Sequence, residues 1–317
     1  MYVDDLLISC NNGDFLKSIK SKLQNLYRMK DLGIVKQFLG VNVHHVGDSI
    51  LIEQSNFTRD LLDKFGFSEC KPISTPVDIS LKLTKTESDD QKFDIETYQS
   101  AIGNLLFLSV RTRPDICHAV SNVAKYCSNP SKQHWQAVKR IFRYLKGTIN
   151  LGINYSKSSI PCFGYSDADF ARDCNDRKST SGYCFVNGNS VISWKSAKQT
   201  CVALSTAEAE YVALATATQE AIWLRKLLLD LKFSNETPML IHGDNQAALC
   251  IAKNNKGHGR AKHIHFKFHY VRDMIDKKNM ELKYCPTADM LADIFTKGLP
   301  SERFSRLRSL LGMKIFK

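Results

Sequence analysis

The sequence predicts an α/β fold with a mixed sheet, and three patterns carry that prediction. Short strands follow one another over about 162–170, 182–187 and 190–196, with Asn187-Gly188-Asn189 as a hairpin turn between the last two. A long helix comes next, over about 207–232. After it the periodicity alternates: a strand near 239–242, helices near 246–253 and 266–277, a strand near 281–285 and a last helix from Ala288.

The stretch before this layer reads as α+β. Met1-Tyr2-Val3-Asp4-Asp5 runs into Leu6-Leu7-Ile8-Ser9-Cys10 and then Asn11-Asn12-Gly13-Asp14, the pattern of a tight turn between two strands. An ordinary domain rarely opens on such a turn, so the chain reads as cut from something longer. Leu16, Ile19, Leu23 and Leu26 recur at helical spacing. Residues 38–43 and 49–53 flank Val46-Gly47-Asp48 as a hairpin, and a helix follows near 57–65. The polar stretch 68–93, with Pro72 and Pro76, has the composition of an exposed connection. Two helical segments come next. In the second, Trp135, Val138, Phe142 and Leu145 line one face, with Lys139, Arg140, Arg143 and Lys146 interleaved. A packing helix with solvated basic residues and a helix that also touches phosphates both fit. Gly147-Thr148 and Gly152 end the region.

The length of 317 residues suggests about two domains. Hydrophobic residues at 43% and charged residues at 24% exclude disorder and collagen-like repeats. Lys plus Arg number 44 against 32 Asp plus Glu, a net +12, which favours an anionic partner, nucleic acid ahead of a membrane surface. No two of the ten cysteines lie two to four residues apart, so neither a zinc knuckle nor a CxxC pair can be drawn. No secretory-signal pattern opens the sequence and no apolar run approaches about 18 residues. The cysteines are expected to be reduced thiols of an intracellular protein.

Four acidic residues fall near strand ends and helix starts in the second half. Asp167 lies within the first strand, where a charge is costly unless it faces a site. Asp169 would share its face, so spacing alone does not choose between the two. Ser205-Thr206-Ala207-Glu208 fits a capping box, which makes Glu208 structural. Glu210 lies about 200° further round the helix and can face elsewhere. Asp244 follows a strand and begins a helix, where it could equally be an N-cap. Asp293 falls in the last helix. If the strands lie side by side, all four converge. Clustered carboxylates raise one another's pKa unless a cation neutralises them, and hard divalent ions take oxygen ligands. A pair of such ions roughly 4 Å apart activates water and stabilises the leaving oxygen of a phosphodiester. A basic chain with this cluster therefore points to nucleic-acid phosphodiester chemistry.

Several motifs resemble one family. Tyr2-Val3-Asp4-Asp5 resembles the YxDD turn of reverse transcriptases, and Phe38-Leu39-Gly40 with its hairpin resembles the primer-grip region of copia-type (Ty1/copia) retrotransposon polymerases. Ala101-Ile102-Gly103-Asn104-Leu105-Leu106, Thr112-Arg113-Pro114-Asp115-Ile116 and the run from Lys139 to Thr148 resemble the same family. Tyr165-Ser166-Asp167-Ala168-Asp169, Arg177-Lys178-Ser179-Thr180-Ser181-Gly182-Tyr183, the run Ser205 to Tyr211, His242-Gly243-Asp244-Asn245-Gln246 and Ala292-Asp293-Ile294-Phe295-Thr296-Lys297 resemble its RNase H domain. The ordered set covers nearly the whole chain.

The resemblance implies an RNase H-like mixed sheet with flanking helices over 157–300. A polymerase palm remnant at 1–60, a mostly helical thumb- or connection-like part at 61–156 and a basic tail at 301–317 complete the expected division. It implies Asp167, Glu210, Asp244 and Asp293 as metal-binding catalytic carboxylates for two Mg²⁺ ions, with Mn²⁺ able to substitute. The implied reaction is hydrolysis of the RNA strand of an RNA–DNA hybrid. Asp4 and Asp5 match palm aspartates, but the third palm aspartate and the fingers have no counterpart, so polymerisation by this chain alone is not expected. Two departures stand out. Lys262-His263-Ile264-His265 ends in His where the family has Asp, and Tyr284-Cys285-Pro286-Thr287-Ala288 leaves no histidine loop before the fourth carboxylate. His263 and His258 are candidates to stand in for it, beside an ordinary surface role. Arg177, Lys178, Lys253, Lys256, Arg260, Lys262, Lys139, Arg140 and Arg143 are candidate phosphate contacts, with solvated loops as the alternative. Rival readings are a catalytically idle nucleic-acid-binding remnant and a half that acts only with a separate polymerase fragment. A cytoplasmic particle or the nucleus is the expected location.

Overall fold

The computed structural model describes residues 5–85, 92–233, 237–253 and 265–316. Helix α1 spans Gly13–Leu26 and is capped by Asn12, whose side-chain oxygen accepts from the N–H groups of Asp14 and Phe15. The apolar run 6–10 before it forms no strand. β propensity alone does not make a strand; a partner edge must accept its hydrogen bonds.

Strands β1 (Gln37–Phe38), β2 (Val41–Val46) and β3 (Ser49–Glu53) follow. The single strand expected over 38–43 breaks at Leu39-Gly40, both at positive φ (49° and 77°), a two-residue turn that folds β1 back on β2. Helix α2 is Ser55–Lys64 and α3 is Ile95–Arg111. The first of the two expected helical segments is in fact two helices. Pro114 lacks the N–H needed to extend α3, so a 3-10 turn over Pro114–Ile116 leads into α4, Cys117–Ala124. Helix α5, Lys132–Lys146, starts from a capping box between Ser131 and His134. Strand β4, Leu151–Ser156, was not foreseen from the sequence.

The second half begins with β5 (Phe163–Ala168), β6 (Thr180–Asn187) and β7 (Ser190–Lys198). Gly188, at φ 63°, makes the tight turn between β6 and β7. Helix α6 (Thr206–Asp230) crosses to β8 (Met239–Gly243); α7 (Gln246–Lys253), α8 (His265–Asp276) and β9 (Met280–Tyr284) follow. The sheet order is β7-β6-β5-β8-β9, antiparallel across β7, β6 and β5 and parallel across β5, β8 and β9. The parallel pairs require crossovers, and α6 supplies the first. Alternation along β6 sends Tyr183 and Phe185 towards α6 and Cys184 and Val186 to the opposite core. The alanines at 213, 215, 217 and 221 let α6 lie close on the sheet.

The expected last helix from Ala288 is replaced by 3-10 turns over Thr287–Asp289 and Leu291–Phe295, and the true last helix, α9, is Ser301–Leu310. Strand β10, Met313–Ile315, then pairs with β4, completing a second sheet of order β1-β2-β3-β4-β10. Here β3 and β4 approach so closely that a Cβ on Gly152 would stand 2.4 Å from the Ile52 carbonyl oxygen. One buried cluster joins Leu61, Leu105 and Phe142 of the first half to Val186, Val191 and Phe295 of the second and to Phe304 and Leu307 of α9. With Ile52 and Phe57 packed against the same cluster, packing runs across the sequence divisions at 60, 156 and 300, and the basic tail is folded into both the core and a sheet. All ten cysteines are free thiols. Among the described residues no helix is long and apolar enough to cross a membrane.

Candidate metal centre

Asp167 lies on β5 opposite Gly182 of β6. A Cβ at Gly182 would meet Thr296 at 2.7 Å and Phe295 at 2.8 Å, so the missing side chain lets the 291–295 turn lie across the sheet and brings Asp293 to Asp167. Glu210 comes from the second turn of α6, where its carboxylate accepts from the Ala168 N–H. Asp244 stands one residue past the end of β8, the parallel neighbour of β5. Oxygens of Asp167, Glu210 and Asp244 lie within 4.8 Å of one another. Asp167 is 1% exposed and Asp293 0%.

Two alternatives left open by spacing are resolved. Asp169 turns away from the cluster: its carboxylate accepts the Thr180 N–H, and its own N–H bonds the Thr180 carbonyl. Burial pushes its pKa up to about 6. Asn245, not Asp244, caps α7, its side-chain oxygen taking the Ala248 N–H at 3.0 Å. Asp244 instead accepts the Thr287 hydroxyl at 2.7 Å. Glu208 caps α6 as expected in kind, although its carboxylate reaches the N–H of Leu204 at 2.7 Å rather than that of Ser205. The Ser205 hydroxyl oxygen takes the Glu208 N–H at 3.2 Å.

Asp293 differs in surroundings from the other three carboxylates. One oxygen pairs with Lys297 Nζ at 2.6 Å and the other with the Arg303 guanidinium. Asp167 accepts the Thr296 hydroxyl and has Lys297 Nζ at 3.7 Å. Thr296, Lys297 and Arg303 were missed in the sequence; the one available signal was the i, i+4 spacing of Asp293 and Lys297.

The electrostatics suit a cation. Burial raises the Glu210 pKa, and the neighbouring carboxylates of Asp167 and Asp244 raise it further. Burial raises Asp167 too; Lys297 opposes this and Asp293 adds to it. A carboxylate with a raised native pKa binds a proton more tightly folded than unfolded. Its contribution to stability is present at low pH and is lost as pH rises from the unfolded value, about 4, through the folded one. The metal-free protein should therefore melt at lower temperature as pH rises from about 4 through 6, and Mn²⁺ should restore more stability at the upper end. Melting curves with EDTA or Mn²⁺ across that range check this.

Among the other candidate residues, Arg140 pairs with Asp78 at 3.1 Å and donates to the Thr75 carbonyl at 3.2 Å. Arg143 donates to the Lys71 carbonyl at 2.8 Å. Both therefore pin the 68–80 connection to α5 at Thr75, which is buried, while Glu69, Lys71, Pro72, Ser74, Ile79 and Ser80 stay exposed. Lys139 is half-buried on the same helix. Lys178 pairs with Asp176 at 3.8 Å, Arg177 is exposed, and Lys253 is exposed at the end of α7. Lys256, Arg260, Lys262, His258, His263 and Asp4 lie outside the described residues, and Asp5 is exposed.

The β7-β6-β5-β8-β9 sheet, its crossover helix α6 and this cluster of buried acids define an RNase H-like fold. The reverse transcriptase (RNA-dependent DNA polymerase) family matches residues 1–79. The Pol polyprotein of transposon TNT 1-94 from Nicotiana tabacum is 37% identical over 99% of this chain and 24% of its own length. That of transposon RE2 from Arabidopsis thaliana is 35% identical over 99% of this chain and 21% of its own. A transposon Ty5-1 protein from Saccharomyces cerevisiae is 31% identical over 69% of this chain and 72% of its own length. The chain thus belongs to the copia-type retrotransposon Pol family. It spans about a quarter of the length of the curated Pol polyproteins it matches. Among solved structures, RNase H1 from Halobacterium salinarum aligns at 16% identity over 43% of this chain and 94% of its own, with a TM-score of 0.30. A foamy viral protease-reverse transcriptase in complex with dsDNA aligns at 13% identity over 87% and 52%, with a TM-score of 0.47.

Asp169→Asn should leave Mn²⁺ affinity within about tenfold of wild type, because this residue faces the backbone and not the cluster. The same measurement on Asp167→Asn gives the contrast.

Proposed function

We propose that this chain is an RNase H-type endonuclease that hydrolyses the RNA strand of RNA–DNA hybrids with the help of divalent metal. The observation that carries the reading is the meeting of Asp167, Glu210 and Asp244 within 4.8 Å, from three elements far apart in sequence. Their donor set, all hard carboxylate oxygens, fits Mg²⁺ or Mn²⁺. When bound, the metal acts as a Lewis acid on water and on the leaving oxygen. Asp167, Glu210 and Asp244 would hold it, with Asp293 beside them as the fourth carboxylate. Thr296 and Lys297 fix the Asp167 carboxylate. The net charge of +12 draws the phosphate backbone towards the chain and makes binding salt-sensitive.

The test is cleavage of a hybrid labelled on its RNA strand. Cutting in Mg²⁺ or Mn²⁺, with 5′-phosphate and 3′-hydroxyl products and none in EDTA, supports the proposal. A folded protein that binds hybrid in a salt-dependent way yet cuts in neither ion refutes it and selects the idle remnant.

A second reading, a half that works beside a separate polymerase fragment, has one observation in its favour. Helix α1 buries none of its residues, and Phe15, Leu26, Tyr27, Leu32 and Ile34 are exposed in and just after it. Co-purification with a fingers–palm fragment, abolished by Phe15→Asp with Leu26→Asp, supports it; a chain that stays alone and active opposes it.

A further inference from the structure

We propose that Lys297 is a resident counter-cation that limits the nucleic-acid-free protein to one divalent ion at the carboxylate cluster. The inference rests on the metal-centre reading above and deepens it.

The Lys297 ammonium stands among the carboxylates, 2.6 Å from Asp293 and 3.7 Å from Asp167. Its side chain is only 24% exposed. With Arg303 on the other oxygen, both oxygens of Asp293 are held by protein cations. Asp293 lies against Asp167 yet is not among the three carboxylates whose oxygens lie within 4.8 Å of one another. The formal charges agree. Asp167, Glu210, Asp244 and Asp293 carry four negative charges when ionised, and Lys297 and Arg303 carry two positive ones, so −4 + 2 leaves −2. One divalent ion cancels that. Removing the lysine charge leaves −3, frees one oxygen of Asp293 and takes away a positive charge that repels any metal placed nearby. A lysine suits the role: it is a compact point charge on a flexible stem, unlike the planar guanidinium of Arg303, which stays fixed by its second bond, to the Thr287 carbonyl.

The experiment counts Mn²⁺ bound to the whole chain without nucleic acid, by electron paramagnetic resonance of free Mn²⁺ and by calorimetry. Wild type should take up one ion. Lys297→Met should bind Mn²⁺ about tenfold more tightly, about 1.4 kcal/mol, and acquire a second ion. Lys297→Arg keeps the charge and should stay near wild type in number and affinity, and a melting curve of Lys297→Met itself separates a change in binding from a loss of fold. Unchanged or weaker binding by Lys297→Met, or a second ion already present in wild type, overturns the inference while leaving the metal centre standing. Asp167→Asn separates the two claims. If it binds Mn²⁺ as wild type does, the metal-centre reading falls and this inference falls with it.

Discussion

Replacing Asp167 with Asn is expected to cut RNA cleavage by about 10³-fold or more, roughly 4 kcal/mol of barrier, while the protein keeps its fold. Asn has nearly the same shape but no charge, so the Thr296 hydroxyl can still bond its remaining oxygen. The lost quantity is the negative charge shared with Glu210 and Asp244. In the metal-free protein that charge is a burden, since Asp167 is buried beside Asp293 and Glu210. The Asn protein should therefore melt at the same or a higher temperature in EDTA, and gain less stability than wild type from Mn²⁺. A drop in activity accompanied by an equal loss of folded protein would instead make Asp167 a structural residue.

The second large effect lies away from the cluster. Arg113 is 1% exposed, and its guanidinium grips Asp115 through two bonds, at 3.0 Å and 2.8 Å. It also donates to the carbonyl and the hydroxyl of Thr148, at 3.0 Å and 2.6 Å. The Tyr144 hydroxyl donates to Asp115 at 2.5 Å and accepts from Arg308 of α9 at 3.0 Å. This network ties the turn after α3 to the end of α5 and to α9. Arg113→Met leaves Asp115 buried without its ion partner and should cost about 3–5 kcal/mol. Arg113→Lys should not rescue it, because an ammonium cannot form the two-bond fork. Denaturant titration with an unchanged m-value reads the loss. A shift below about 1 kcal/mol would show that the network contributes little.

Local signals foretold local structure. Strands β5, β6 and β7, α6 and α7 appear within a few residues of their expected places, because alternation, the Asn187-Gly188-Asn189 turn and helical periodicity act over short spans. Asp167, Glu210 and Asp244 stand out as charges near a strand end or helix start, but spacing leaves Asp167 level with Asp169 and Asp244 open as an N-cap, and it is the family resemblance that singles out the set. What depended on distant partners was not legible. Strand β4 exists because 49–53 and 313–315 flank it. Asp293 sits in a 3-10 turn laid over Gly182, a contact that no periodicity encodes. The same holds for Arg140 and Arg143, whose spacing reads as a basic face but which also bond the connection, Arg140 through Thr75 and Asp78 and Arg143 through its Nε to the Lys71 carbonyl. Lys297 looked like one more lysine until the fold placed it between two aspartates.

The most direct measurement is the anomalous scattering of crystals soaked in Mn²⁺. A peak roughly 2–2.5 Å from oxygens of Asp167, Glu210 and Asp244 together is the expected result. A map without a peak there, or one in which any of the three turns its carboxylate away into solvent, would contradict a shared metal centre.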